Sequence, residues 1–240
     1  MKAEAPKIPA IDELKAAVMK LPHTINQSLR PWVETHLDNP ELATLVMAAA
    51  DAETRLVATK QRFDDLHDLM DRNDNELVTA TESTRSTLLA ERAAVLAERD
   101  AMPEQIKRCA DVKARSILRL LRLIEETALI EIEHLNGELE PLNAQLNKLW
   151  SQKTRDQNAP RPFRMTKEEM AEHNGKMNQL GAARQPVEER RKAAVSAYQG
   201  ARLTATRMFG SNGGIRVDLR TRNEAAWDRA ITHFVSRHAA

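Results

Sequence analysis

Aromatic residues make up only 3% of the chain, with a single Tyr, and glycine occurs 7 times in 240 residues. A globular α/β enzyme of this length draws on more glycine for its turns and more aromatic volume for its core. Cysteine occurs once, as Cys109, which excludes an intrachain disulfide and makes a reducing compartment the default. No apolar core of signal-peptide length accompanies Glu4, Asp12 and Glu13, so neither a secretory nor a mitochondrial signal is read there. The most apolar run, residues 117–132, is interrupted by Arg119, Arg122, Glu125 and Glu126 and is well short of a membrane span. The expectation is a soluble, cytoplasmic protein with no membrane insertion.

Alanine, leucine, glutamate, arginine and lysine dominate, and 30% of residues are charged. That is the composition of long helices, whose core volume is spread along seams rather than gathered at a centre. Charge is unevenly placed. Residues 1–102 hold 12 basic against 18 acidic residues, residues 103–150 hold 7 against 8, and residues 151–240 hold 17 against 9. An acidic front and a basic end suit attraction between neighbouring copies, or a meeting of the basic end with an acidic surface.

The stretch 117–150 has the most regular pattern. Leu121, Ile124, Ala128, Leu135, Leu139, Leu142, Leu146 and Leu149 follow one another in helical steps, the seam of a coiled coil. Leu118, Leu120, Leu123, Leu129 and Ile130 lie off that stripe, so one partner helix leaves them uncovered and contact from at least two sides is expected.

Before the seam, Ile11, Leu14, Val18 and Leu21 mark a short amphipathic helix ended by Pro22, and a second short helix is read from near Pro31, with Trp32, Val33 and Leu37 on one face. Asn39-Pro40-Glu41 combines a cap, a proline suited to the first helical position and a dipole-matched acid. From there a heptad of Leu42, Ala49, Leu56, Phe63, Met70 and Leu77 predicts one helix running on to Met102, on the order of 90 Å long at 1.5 Å per residue. Pro103 is expected to break it, because proline disfavours helical geometry in the preceding residue, and Pro141 to kink the helix that follows. Residues 151–165 read as a linker. Thr166 and Glu169 form a capping-box pattern for a third long helix, a weaker seam of methionine and alanine. Residues 210–214 read as a turn, residues 215–220 alternate like a short strand, and Asn223 caps a last helix.

Candidate chemistry is sparse. Glu131-x-x-His134 has the spacing of a di-iron helix pair, with Asp64-x-x-His67 as the only second half, and the ordinary reading of both is solvated side chains. The glycine-rich turn lacks a phosphate-binding lysine and a helix directly after it, and Cys109 has no base near it in sequence. No catalytic residue, cofactor, resident metal or small-molecule substrate is expected. In the final helix Trp227, Ile231, Phe234 and Val235 make a narrow apolar stripe that suits docking into a partner groove. Arg216, Arg220 and Arg222 before it could meet an anion or nucleic acid through phosphates.

The pattern as a whole predicts an all-α, elongated antiparallel helical bundle or coiled coil of two or three long helices. Its expected parts are an N-terminal arm with short capping helices (1–38), a long hairpin broken at Met102-Pro103 (39–155), a linker and third long helix (156–209) and a basic C-terminal docking module (210–240). The functional expectation is a non-enzymatic scaffold, a homo-oligomer or a component of a larger protein assembly. In organisation alone the chain is similar to capsid-assembly scaffolds and helical virion components, which points to a virion as one setting. A nucleic-acid-associated helical protein and a di-iron-type bundle are the alternatives.

Overall fold

The computed structural model describes residues 9–161, 164–210, 217–221 and 223–238. Every regular element among them is a helix: α1 (Ile11–Lys20), α2 (His23–Thr35), α3 (Pro40–Thr79), α4 (Glu82–Asn158), α5 (Lys167–Phe209) and α6 (Asp228–His238), the last preceded by a 3-10 turn, Glu224–Trp227. The fold is all-α with three long helices. The residues form two compact units, one of Met1–Ile124 with Gly200–Ala240 and the other of Glu125–Gln199. They are described in turn.

In the first unit, Asn39 caps α3 as its sequence implies: its side-chain oxygen accepts from the backbone N–H of Glu41 at 3.0 Å and of Leu42 at 3.2 Å. Helix α1 packs against α2 and α3. Leu14 and Val18 from α1, Ile25, Leu29 and Val33 from α2, and Leu42 and Val46 from α3 are all buried. The second short helix begins at His23 rather than near Pro31; Pro22 supplies an extended residue directly before it, and Pro31 lies inside the helix.

The expected helix from Pro40 to Met102 does not occur. Helix α3 ends at Thr79, Ala80 is extended, and Thr81 starts α4 by accepting at its carbonyl from the N–H groups of Thr84 and Arg85. The expected break at Met102-Pro103 is likewise absent, as α4 runs unbroken through Pro103 and Pro141. Two side chains explain the first continuity: Met102 and Ile106 are both buried, and a break between them would expose one or the other. The hairpin's register is fixed by pairs placed almost symmetrically about residues 80–81. Arg92 bonds Asp74 at 2.5 Å, Arg62 bonds Glu98 at 2.8 Å, Thr59 Oγ1 lies 3.6 Å from Cys109 Sγ, and Lys113 meets Glu53 at 2.7 Å.

Along α4, Ile117, Leu118, Leu120, Leu121 and Ile124 are all fully buried. They lie on several sides of one helix, so partners must approach from more than one direction. Close packing between α2 and the end of α5 is permitted by Gly200. A Cβ added there would lie 2.8 Å from Leu29 Cδ2, and Leu29 is itself fully buried.

In the second unit, residues 125–158 of α4 and 167–199 of α5 form an antiparallel hairpin. The linker expected over residues 151–165 is shorter, because α4 stays helical to Asn158. The capping box at the start of α5 forms as its sequence implies: Thr166 N–H donates to Glu169 Oε2 at 2.8 Å, and Glu169 N–H to Thr166 Oγ1 at 3.2 Å. Of the residues expected to form a strand, 215 and 216 lie outside the described residues. The remainder, 217–220, is irregular and ends in a turn at Leu219–Arg220, with Arg220 N–H bonded to Asp218 Oδ1.

Glycine substitutions test this packing. Gly200→Ala is expected to lower the thermal midpoint, because an overpacking cost of about 1–3 kcal/mol outweighs the gain of about 1 kcal/mol from helix propensity. Gly175→Ala and Gly181→Ala, where an added Cβ meets nothing within 4 Å, should stabilise the fold by about 0.5–1 kcal/mol each and so raise the midpoint. Calorimetry of the three variants reads the order directly.

Candidate interaction surface

The apolar stripe of the last helix was expected to dock on a partner, and the structure corrects this. Trp227, Ile231 and Phe234 are 1–2% exposed, and Val235 is half-buried. They close the first unit from within. Phe234 lies 5.0 Å from Phe209 of α5 and 4.1 Å from His238, centroid to centroid, and the Lys113 ammonium sits 5.7 Å from its ring centre. Trp227 Nε1 donates to the Asp218 carbonyl at 3.0 Å, so the indole N–H has its partner in the loop that leads to the helix.

Polar contacts fasten the same element at its edge. Arg119 grips Glu224 with two bonds of 2.8 Å, and Arg115 bridges Asp111 at 2.9 Å and Asp228 at 3.2 Å. The Arg119 guanidinium holds the Glu224 carboxyl below the usual carboxylate range, mainly through that hydrogen bond. Arg237 donates to the Met208 carbonyl. The two acids that open the final helix are therefore used on arginines of α4, and its basic residues do not form one free face.

Of the three arginines read as anion contacts, Arg216 and Arg222 lie outside the described residues. Arg220 is exposed in the turn after Asp218. Glu131 and His134, the pair with metal-ligand spacing, point to Arg190 at 3.9 Å and to Glu138 at 2.9 Å. Among the described residues no three His, Cys, Asp or Glu side chains converge. Among the same residues no helix is long and apolar enough to cross a membrane.

One charged pair escaped the sequence reading. Lys113 is 7% exposed and meets Glu53 between α3 and α4. The available signal was position: Ile106, Ala110, Lys113 and Ile117 step along one seam, so a cation there had to face inward and find an acid. Beside it His238, which bonds the Phe234 carbonyl at 2.9 Å, has its pKa lowered by burial, with Lys113, Lys60 and Arg237 adding to the effect.

The seam residues divide between the units. Leu121 and Ile124 are fully buried in the first. In the second, Leu135 is fully buried, Leu139 is 7% and Leu146 9% exposed, and Leu142 and Leu149 are only half-buried. Opposite them on α5, Met177, Leu180 and Val187 are also half-buried. Polar pairs set the register of this hairpin: His173 Nε2 donates to the Leu149 carbonyl at 3.0 Å, Lys153 to Asn174 at 3.2 Å and Arg191 to Asn136 at 2.6 Å.

Grooves follow both flanks of the hairpin. One, of about 590 Å³, is lined by Gln145, Lys148, Leu149 and Gln152 of α4 and by Lys176, Gln179, Leu180 and Ala183 of α5. The other, of about 650 Å³, is lined mainly by Asn136, Glu140, Asn143, Asn147, Glu188 and Arg191. The first carries apolar side chains from both helices; the second carries Leu139 and Ala144, both of α4, among six polar residues.

The buried ion pair and the histidine each give an expected outcome. Lys113→Ala should destabilise the protein by about 3–5 kcal/mol by leaving Glu53 without its partner, and Lys113→Met with Glu53→Met should recover most of the loss in denaturant melts. Because the folded-state pKa of His238 is lowered, the unfolded chain binds more protons as pH falls through the ordinary histidine range near 6.5. Stability contributed by this group is therefore present at neutral pH and is lost on acidification. Thermal melts between about pH 7.5 and 5.5 should show a smaller loss for His238→Phe than for the unaltered protein. No protein-family model, curated protein or solved structure matches the chain.

Proposed function

We propose that this chain is a non-enzymatic helical scaffold that binds other protein subunits within a larger assembly. The observation that carries the reading is the half-covered seam of the second unit. Leu142, Leu149, Met177, Leu180 and Val187 remain half-buried along a hairpin whose two helices shield only the facing sides of one another. A two-helix layer of this kind gains most by pairing with further helices, since each apolar side chain then loses its remaining contact with water. Supporting it, the first unit closes its own core with α6, whereas the hairpin of the second keeps apolar side chains only half covered. A reducing interior such as the cytoplasm suits the one thiol, Cys109, which lies half-buried against Thr59.

The test is the mass of the purified full-length chain by light scattering, together with affinity purification from cells that make it. The expected result is a defined oligomer, or a stoichiometric protein partner lost on changing Leu149 and Leu180 to Glu. A monomer that retains no partner would refute the reading.

A further inference from the structure

Resting on that reading, we propose that the apolar flank of the second unit binds the same flank of a second copy, with the two hairpins antiparallel about a twofold axis, so that they form a four-helix bundle. The argument is charge placement. Lys153 with Asn174 and Arg191 with Asn136 fix which residues of α4 and α5 lie at the same height. By that register the hairpin divides at mid-height, between residues 140 and 141 on α4 and between 185 and 186 on α5. The half nearer residues 125 and 199 carries 8 acidic and 3 basic residues; the half nearer the connecting loop, with Arg161 and Arg164 of that loop included, carries 4 acidic and 8 basic. The hairpin is thus an electrical rod, net −5 toward one end and +4 toward the other.

Two such rods side by side repel when parallel and attract when antiparallel. A twofold axis at the level of Leu142 and Ala183 sets Glu138 of one copy near Lys148 of the other, and Glu131 near Arg155. A general acidic or basic partner would satisfy only one half, whereas a second copy satisfies both. The same axis places the half-buried Leu142, Leu149, Leu180 and Val187 of both copies in one core.

The dimensions suit a stable dimer. A hairpin of 34 residues per α4 segment is about 50 Å long, and two helices make a face about 20 Å wide. About 1,000 Å² per copy is then covered, or about 2,000 Å² with both copies counted, the upper end of what specific interfaces of standard size bury. The apolar flank is selected over the opposite one because Asn143 and Asn147 on the latter would have to lose water without an evident partner.

The experiment uses the full-length chain with Cys109→Ser as background. Sedimentation equilibrium should give a dimer that weakens roughly tenfold between about 0.05 and 0.5 M NaCl, as salt screens the opposed ends. Glu131→Lys with Glu138→Lys should weaken it by roughly 10- to 100-fold, and so should Lys148→Glu with Arg155→Glu, because each places like charges together. Combining all four should restore it, an outcome that a folding defect does not produce; circular dichroism confirms the helix content of each variant. Spin labels at Ala183→Cys should report a short distance between copies, and labels at Gln157→Cys about 45 Å. Short distances at both positions indicate parallel rods and overturn the inference, as does a monomer at low salt or failure of the fourfold swap to restore association. A monomer that still retains a protein partner removes the self-pairing while leaving the scaffold reading in place.

Discussion

Ile117, Leu118, Leu120, Leu121 and Ile124 place fully buried apolar surface on several sides of a single helix, and the first unit is the solution to covering it. One antiparallel neighbour shields a stripe of a helix; the remainder must be met by other elements. Two other parts of the chain meet α4 close to this region: α3, which precedes it, and the segment that opens the final helix. The first is fastened by the largely buried Lys113–Glu53 pair and the second by arginines that hold Glu224 and Asp228, while Gly200 admits Leu29 where α5 packs on α2. At 25 cal/mol per Å² the covered leucines and isoleucines are worth about 1.5–3 kcal/mol each, more than any of the surface ion pairs, whose usual contribution is below about 1 kcal/mol. The polar contacts therefore choose the register, and the apolar ones supply the stability.

The two units use the same helices differently. In the first, α4 is enclosed; in the second it has one partner and keeps half-buried leucines along a flank. Ile130, at 67% exposure, and Trp150, at 54%, with the Lys153 ammonium 5.5 Å from its ring, mark how open the second unit is. Scattered exposed apolar residues are ordinary on a helical surface. A continuous half-covered seam is not, and this difference is why the functional reading rests on the hairpin.

Much of the architecture was legible because it is written locally. Asn39-Pro40-Glu41 and Thr166-x-x-Glu169 each carry the groups that satisfy a helix start, and both helices begin where those residues stand. The hairpin turn was not legible. Ala80-Thr81 holds neither glycine nor proline, and the run of threonine and serine that follows is a weak signal beside the proline at 103. Tertiary burial of Met102 and Ile106 overrode that proline, as packing routinely overrides propensity. The stripe of Trp227, Ile231 and Phe234 was found at its correct spacing, but amphipathic periodicity states only that a face is covered. It is silent on whether the cover comes from the same chain, and here Phe209 and Lys113 supply it. Charged residues at seam positions, such as Lys113, were visible as anomalies without a visible partner, since Glu53 is sixty positions away in sequence.

The prolines inside α4 have a mechanical meaning. Pro103 and Pro141 offer no N–H, so the carbonyls four residues earlier, at Arg99 and Gly137, lose their helical donor, and each ring presses on the turn that precedes it. Gly137 meets nothing within 4 Å where a Cβ would be, which leaves that turn room to adjust. A helix of 77 residues is thus a beam with compliance concentrated at two points, one in each unit. Bending at either joint costs the helix no further backbone hydrogen bond, so each unit can take up strain within its own part of α4.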